Sequence, residues 1–264
     1  MNLVLPRVAD ALRALISRRL PPPRKPLRPD RNSAPYGAMH AGRKGPAGVA
    51  MTLRQLLPAA LLGLFLAVPH AAGAAPVRLV ALGDSLTAGL GLSAAQAFPA
   101  RLQAALKARG HDVLIENAGV SGDTASAGLA RLDWSIPDGT QGVILELGAN
   151  DALRGLDPAI AEKALDDALA HLKARGIPVL LAGMQAPPNL GADYAARFDA
   201  IYPRLAAKYG VPLYPFFLEG VAGRLALNQP DGIHPTAAGV DAIVERMLPA
   251  IEAFLAAIKA GKGG

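Results

Sequence analysis

Histidine is scarce in this chain, so a chemical reading can start there. Of the five histidines, His40 and His70 lie in N-terminal segments unlike the rest in composition. His111 sits in "RGHDV", at the entrance to a candidate strand, and His171 lies within the helical pattern "DDALAHLKARG". Only His234 stands in a loop with an acid at close spacing, because "DGIH" places Asp231 three residues before it. Within one turn that carboxylate can reach imidazole Nδ1. It then fixes the tautomer, stabilises the imidazolium and leaves Nε2 free as a base. The same letters also make an ordinary Asp-Gly surface turn ahead of a helix.

A base of this kind needs a nucleophile. From residue 75 onward the serines are Ser85, Ser93, Ser121, Ser126 and Ser135. Ser85, in "LVALGDSLTAGLG", is the one that follows an aliphatic run directly and opens a helix-like pattern. A hydroxyl there projects from the carboxyl edge of a sheet, where a helix N-terminus favours developing negative charge. A helix N-cap explains the same serine, or Asp84, equally well. The stretch is not a G-x-S-x-G elbow and gains nothing from that motif. Acyl transfer also needs donors for an oxyanion. Gly122 in "SGDT" can offer a backbone N–H, Asn150 in "GAND" a side-chain NH₂, and Ser85 its own N–H. As a turn glycine and a helix cap, Gly122 and Asn150 have plainer readings too.

These loops must be held at one edge. Five β-type runs, at 77–82, 112–116, 143–147, 178–182 and 211–214, alternate with amphipathic patterns at 95–109, 124–134, 158–175, 192–209 and 235–258. That alternation predicts a parallel sheet covered on both faces: one three-layer α/β/α domain. In such folds the working site lies beyond the carboxyl ends of the strands. "GDSL", "NAGVSGDT", "GAND" and "DGIHP" all fall at that end. Asp84, Asp123 and Asp151 flank the site and read as capping or supporting residues. Trp134, the only tryptophan, is expected in the core. No zinc spacing, dinucleotide fingerprint or P-loop occurs, so no metal or cofactor is expected.

Charge is distributed unevenly. The net charge is +6, but residues 1–50 hold 10 of the 27 basic residues and 2 of the 21 acidic ones, leaving 17 against 19 beyond them. The basic balance therefore says nothing about nucleic acid as a partner of the domain. Residues 1–50 are rich in Pro and Arg and lack apolar periodicity past Ile16, as in a disordered or mis-assigned extension. From Met51 the chain reads as a secretory signal. Arg54 precedes an apolar run at 56–68, and Ala72-Gly73-Ala74 fits the A-x-A cleavage rule. The run is shorter than the roughly 20 residues of a membrane span. The expected division is an extension at 1–50, a signal at 51–74 and the folded domain at 75–264, periplasmic or secreted, monomeric, with no membrane span after cleavage. With no cysteine, disulfides and thiolate chemistry are excluded.

Together the four loops, in this order, resemble the SGNH (GDSL) hydrolase superfamily. The resemblance covers residues 77 to about 250. It is close to the secreted bacterial subgroup of arylesterases and multifunctional acyl-CoA thioesterase I, protease I and lysophospholipase L1, as in "SGDTASAGLARL", "LELGANDALRG" and "DGIHPTAAG". It implies a flavodoxin-like α/β/α sandwich with a five-stranded parallel sheet. Ser85 is then nucleophile, His234 base and Asp231 its orienting acid, with Ser85, Gly122 and Asn150 forming the oxyanion hole. The implied substrate is a small-molecule ester, thioester or lysophospholipid. Met184, Gln185, Ala186 and Pro187 fall where that subgroup builds part of its substrate wall, and "PLYPFFLEGV" (212–221) is a second candidate wall. Ala149 stands where some members carry a second glycine. Two rivals remain open: a carbohydrate O-acetylesterase, and a non-catalytic lipid-binding module on the same fold.

Overall fold

The structure, a computed structural model, describes residues 75–261. The extension and signal expected at 1–74 lie outside the described residues. Five parallel strands form the sheet: β1 (Val77–Gly83), β2 (Val113–Gly119), β3 (Gly142–Glu146), β4 (Val179–Ala182) and β5 (Leu213–Tyr214). Their spatial order is β2-β1-β3-β4-β5. This is the flavodoxin-like doubly wound arrangement, in which β1 and β3 flank the point where the order reverses. The register pairs Gly83 of β1 with Gly119 of β2 and with Glu146 of β3, so three strands end level. β1, β3 and β4 are buried nearly throughout, as runs such as "VILE" and "VLLA" require. β2 is an edge strand and is largely exposed or half-exposed after Val113.

The helices are α1 (Ser85–Ala88), α2 (Phe98–Ala108), α3 (Ala125–Ala130), α4 (Leu132–Ser135), α5 (Ala149–Leu153), α6 (Pro158–Ala174), α7 (Ala192–Asp199), α8 (Ile201–Tyr209) and α9 (Ala237–Ala260). α2 packs against α9, and α6 against α3 and α8, so two helical layers enclose the sheet.

The amphipathic stretches were expected to be continuous, and three of them are not. The first is a 3₁₀ turn, Ala94–Gln96, followed by α2, which restarts with Pro99 near its N-terminus. The second breaks at Arg131, which turns inward. Its guanidinium donates to Asp123 Oδ2 at 2.6 Å, Ser135 Oγ at 2.9 Å and the Gly83 carbonyl at 2.9 Å. The third breaks at Ala200, three residues before Pro203, which lacks the N–H that would bond back into α7. Trp134 is not core: it is 74% exposed. Trp134 stands on α4, which is only four residues long and lies beyond the Arg131 break, not on a continuation of α3.

Candidate active site

β1 runs to Gly83 because nothing larger fits there. A Cβ at Gly83 would press on Thr87 Oγ1 and stand 2.6 Å from Glu146 Oε2. The chain then turns into α1, and Asp84 caps it by accepting the Leu86 N–H at 2.9 Å. The capping role open to either residue thus falls to Asp84. Ser85 is the first helical residue, with its hydroxyl uncommitted to the helix. Gly89, at φ 79°, closes α1 after one turn.

His234 arrives from the far end of the chain. Its loop is pinned by the bridge between Asn228 and Pro235 and by the Gln229 N–H donating to the His234 carbonyl at 2.7 Å. The Gln229 amide also donates to the Leu90 carbonyl at 2.7 Å, tying this loop to the segment just after α1. His234 Nε2 lies 2.9 Å from Ser85 Oγ, and its Nδ1 lies 2.6 Å from Asp231 Oδ2. Asp231 Oδ1 accepts the N–H groups of Ile233 at 2.9 Å and His234 at 3.0 Å. The His234 N–H, then its imidazole and then the Ile233 N–H hold the Asp231 carboxyl down at about 2. An ionised Asp231 assigns the proton to Nδ1 and leaves the Nε2 lone pair facing the serine.

The candidate oxyanion donors come from three loops. Neither the Ser85 N–H nor the Gly122 N–H has a hydrogen-bond partner among the described residues. Gly122 adopts φ 88°, a conformation that favours glycine, and Arg154 Nη2 donates to its carbonyl at 2.7 Å. Asn150, in the first turn of α5, donates one amide hydrogen to Asp84 Oδ2 at 3.0 Å and keeps the other free. Asp151, its neighbour, faces away and accepts the Ala125 N–H at the start of α3 at 2.8 Å. Asp84, Asp123 and Asp151 are thus the capping and supporting groups that sequence reading expected. Among the described residues no cluster of His and acidic groups is arranged to hold a metal ion.

Ser85, Asn150 and His234 open onto a cavity of about 410 Å³. Gly122 is not one of its wall residues. Met184, Gln185, Ala186 and Pro187 form part of the wall, and Ala149 faces the same space. Phe216 and Leu218 contribute from the "PLYPFFLEGV" stretch, while Leu213 of β5 is half-buried and faces elsewhere. Leu153 and Ile233 complete an apolar lining that holds no Asp, Glu, Lys or Arg. His111 pairs with Glu252 at 3.2 Å, and His171 with the exposed Asp133 at 2.6 Å; neither lines the cavity.

Sequence reading missed four supports: Arg131, Glu146, Arg154 and Ile233. "ELGANDALRG" carried two of them, but nothing in its spacing shows that Arg154 reaches the Gly122 carbonyl or that Glu146 lies under Gly83.

A doubly wound sheet with a Ser–His–Asp chain at its carboxyl edge defines a serine hydrolase of α/β architecture. Residues 81–242 match the GDSL-like Lipase/Acylhydrolase family, and the chain belongs to it. The chain is 40% identical to Esterase TesA of Pseudomonas aeruginosa over 204 residues, which is 77% of this chain and all of that protein. It is 42% identical over 173 residues to Thioesterase 1/protease 1/lysophospholipase L1 of Escherichia coli, covering 65% of this chain and 82% of that one. Among solved structures it resembles AlinE4, an SGNH-hydrolase family esterase, at 50% identity and TM-score 0.58, over 67% of this chain and 95% of that one. The protein is a serine ester hydrolase of the SGNH family.

Proposed function

We propose that Ser85 is the nucleophile, His234 the general base and Asp231 its orienting acid, in an enzyme for small esters or thioesters with an apolar acyl group. The observation that carries this reading is the continuous Asp231–His234–Ser85 hydrogen-bond chain at the wall of an uncharged apolar cavity. His234 Nε2 takes the proton of Ser85 Oγ as the oxygen attacks the carbonyl carbon. The N–H groups of Ser85 and Gly122 and the Asn150 amide hold the resulting oxyanion. His234 passes its proton to the leaving alcohol or thiol. Water, deprotonated by His234, then releases the acid from the acyl-enzyme. None of these steps calls on a metal or an organic cofactor.

The apolar wall favours an acyl chain over the polar ring of an acetylated sugar. A profile of p-nitrophenyl esters from acetyl to long acyl separates these readings, since strict acetyl preference supports the O-acetylesterase. Labelling with an alkyl phosphonate followed by peptide mass spectrometry tests the nucleophile. An adduct on Ser85 is expected, and an unlabelled Ser85 removes both the mechanism and the preference over a lipid-binding module.

We further propose export, with 51–74 as signal and a monomeric domain from residue 75. The apolar run after Arg54 and the Ala72-Gly73-Ala74 site support this. No helix among the described residues is long and apolar enough to cross a membrane.

A further inference from the structure

Asn150 does not choose its own orientation. Its Nδ2 donates to Asp84 Oδ2 at 3.0 Å, and the other oxygen of Asp84 accepts the Leu86 N–H at 2.9 Å. Asp84 is fully buried; its contact with Leu86 is buried, and its contact with Asn150 is partly buried. An asparagine amide can exchange its oxygen and nitrogen by a half-turn. Here the flipped amide would set Oδ1 against Asp84 Oδ2, two acceptors with no hydrogen between them. The carboxylate therefore keeps Nδ2 on its own side and leaves the second N–H for another acceptor. Each oxygen of Asp84 already accepts one hydrogen bond. A proton on either oxygen removes the negative charge that strengthens both contacts and adds a donor beside Asn150 or Leu86. An asparagine at position 84 has one oxygen for two donors.

We propose that Asp84 is a positioning residue for the oxyanion hole: as a carboxylate it locks the Asn150 amide with an N–H free for the substrate oxygen, and protonation or amide substitution at position 84 releases that lock. The proposal rests on Asn150 being an oxyanion donor.

The charged groups around Asp84 determine when it holds. Burial pushes its carboxyl up to about 6, and Asp123 adds to the rise. The Leu86 N–H, the Asn150 amide and the His234 imidazole act in the opposite direction. Asp123 is itself paired with Arg131 at 2.6 Å. Across from Asp84, at the end of β3, Glu146 is completely buried. Its carboxyl is raised well above the usual range, first by burial and then by the Asp84 charge. Thr87 Oγ1 donates to Glu146 Oε2 at 2.8 Å, while Oε1 has no partner. Burial and the neighbouring charge favour a proton on Glu146, which leaves the negative charge on Asp84, where Asn150 needs it.

The test compares the full chain as wild type, D84N, N150A and the double variant, as kcat/KM on a p-nitrophenyl acyl ester between about pH 5 and 8. At the upper end D84N is expected to lose on the order of 10²–10³-fold, mainly in kcat, as N150A does. The double variant is expected to lose no more than either single one, because both remove the same interaction. Toward acid, the wild type is expected to fall more steeply than N150A, because Asp84 takes up a proton as pH passes through about 6 and only the wild type has an Asn150 amide to release. Wild-type activity in D84N, or losses that multiply in the double variant, overturns the proposal. If D84N does not fold, wild type and N150A decide it: acid limbs of equal steepness in both overturn it. Full activity in N150A removes the oxyanion role and this proposal together. A defective N150A beside an unaffected D84N removes this proposal alone.

Discussion

Ser85, His234 and Asp231 form a continuous hydrogen-bonded chain, and in the proposed mechanism each group has one task. In such units, removing the nucleophile costs on the order of 10⁶-fold in kcat. S85A should therefore hydrolyse p-nitrophenyl esters at background rate while melting at an unchanged temperature. In that mechanism Asp231 acts through charge. In D231N an amide faces Nδ1, the imidazole can take the other tautomer, and kcat should drop on the order of 10⁴-fold. Because the folded Asp231 carboxyl sits at about 2, below its usual 3.8, its contribution to stability is present above 3.8 and lost as pH falls toward 2. Melting temperatures of D231N should thus fall less steeply than those of wild type across that acid window, and equal slopes would count against an ionised, hydrogen-bonded Asp231.

The element that matters most is the turn from β1 into α1, gripped from the neighbouring strand. Glu146, at the end of β3, fills the space a side chain at Gly83 would need and accepts from Thr87 on the far side of Ser85. Its raised pKa means the folded form holds a proton that the unfolded chain gives up above its ordinary value of 4.5. That stabilising term is complete below 4.5 and is lost as pH rises toward the folded value. E146Q keeps the shape and the acceptor for Thr87 but cannot ionise. Its melting temperature should exceed that of wild type at pH 8 by more than at pH 5, and calorimetry at the two pH values reads this directly. G83A should behave oppositely. Overpacking against Thr87 and Glu146 should cost about 1–3 kcal/mol and lower kcat, measurable by denaturant titration and ester hydrolysis.

At the scale of the whole molecule, the α/β/α sandwich gathers loops from positions 83, 120, 148 and 231 onto one edge and leaves an uncharged cavity beside them. The domain shows none of the basic excess of residues 1–50. If 51–74 is a signal, N-terminal sequencing of the exported protein should begin at Ala75. A chain that still carries residues 1–50 would end that reading.

Local patterns determined much of this protein. Strand-helix alternation gave the sheet, because buried parallel strands must be aliphatic along their whole length. "GDSL", "GAND" and "DGIH" carried the chemistry, because capping, backbone turning and the Asp–His contact act within three or four residues. "GDSL" alone left Ser85 open as cap or as nucleophile, and its combination with the other loops pointed to the nucleophile. Three-dimensional packing settled the capping choice by giving Asp84 the Leu86 N–H and bringing His234 to the serine across 149 residues. It also set the break at Arg131, the exposure of Trp134, the Arg154 hold on Gly122 and the buried Asp84–Glu146 pair. Those depend on which side chains meet across different elements, and on the loss of water between them, which neither spacing nor periodicity along the chain records.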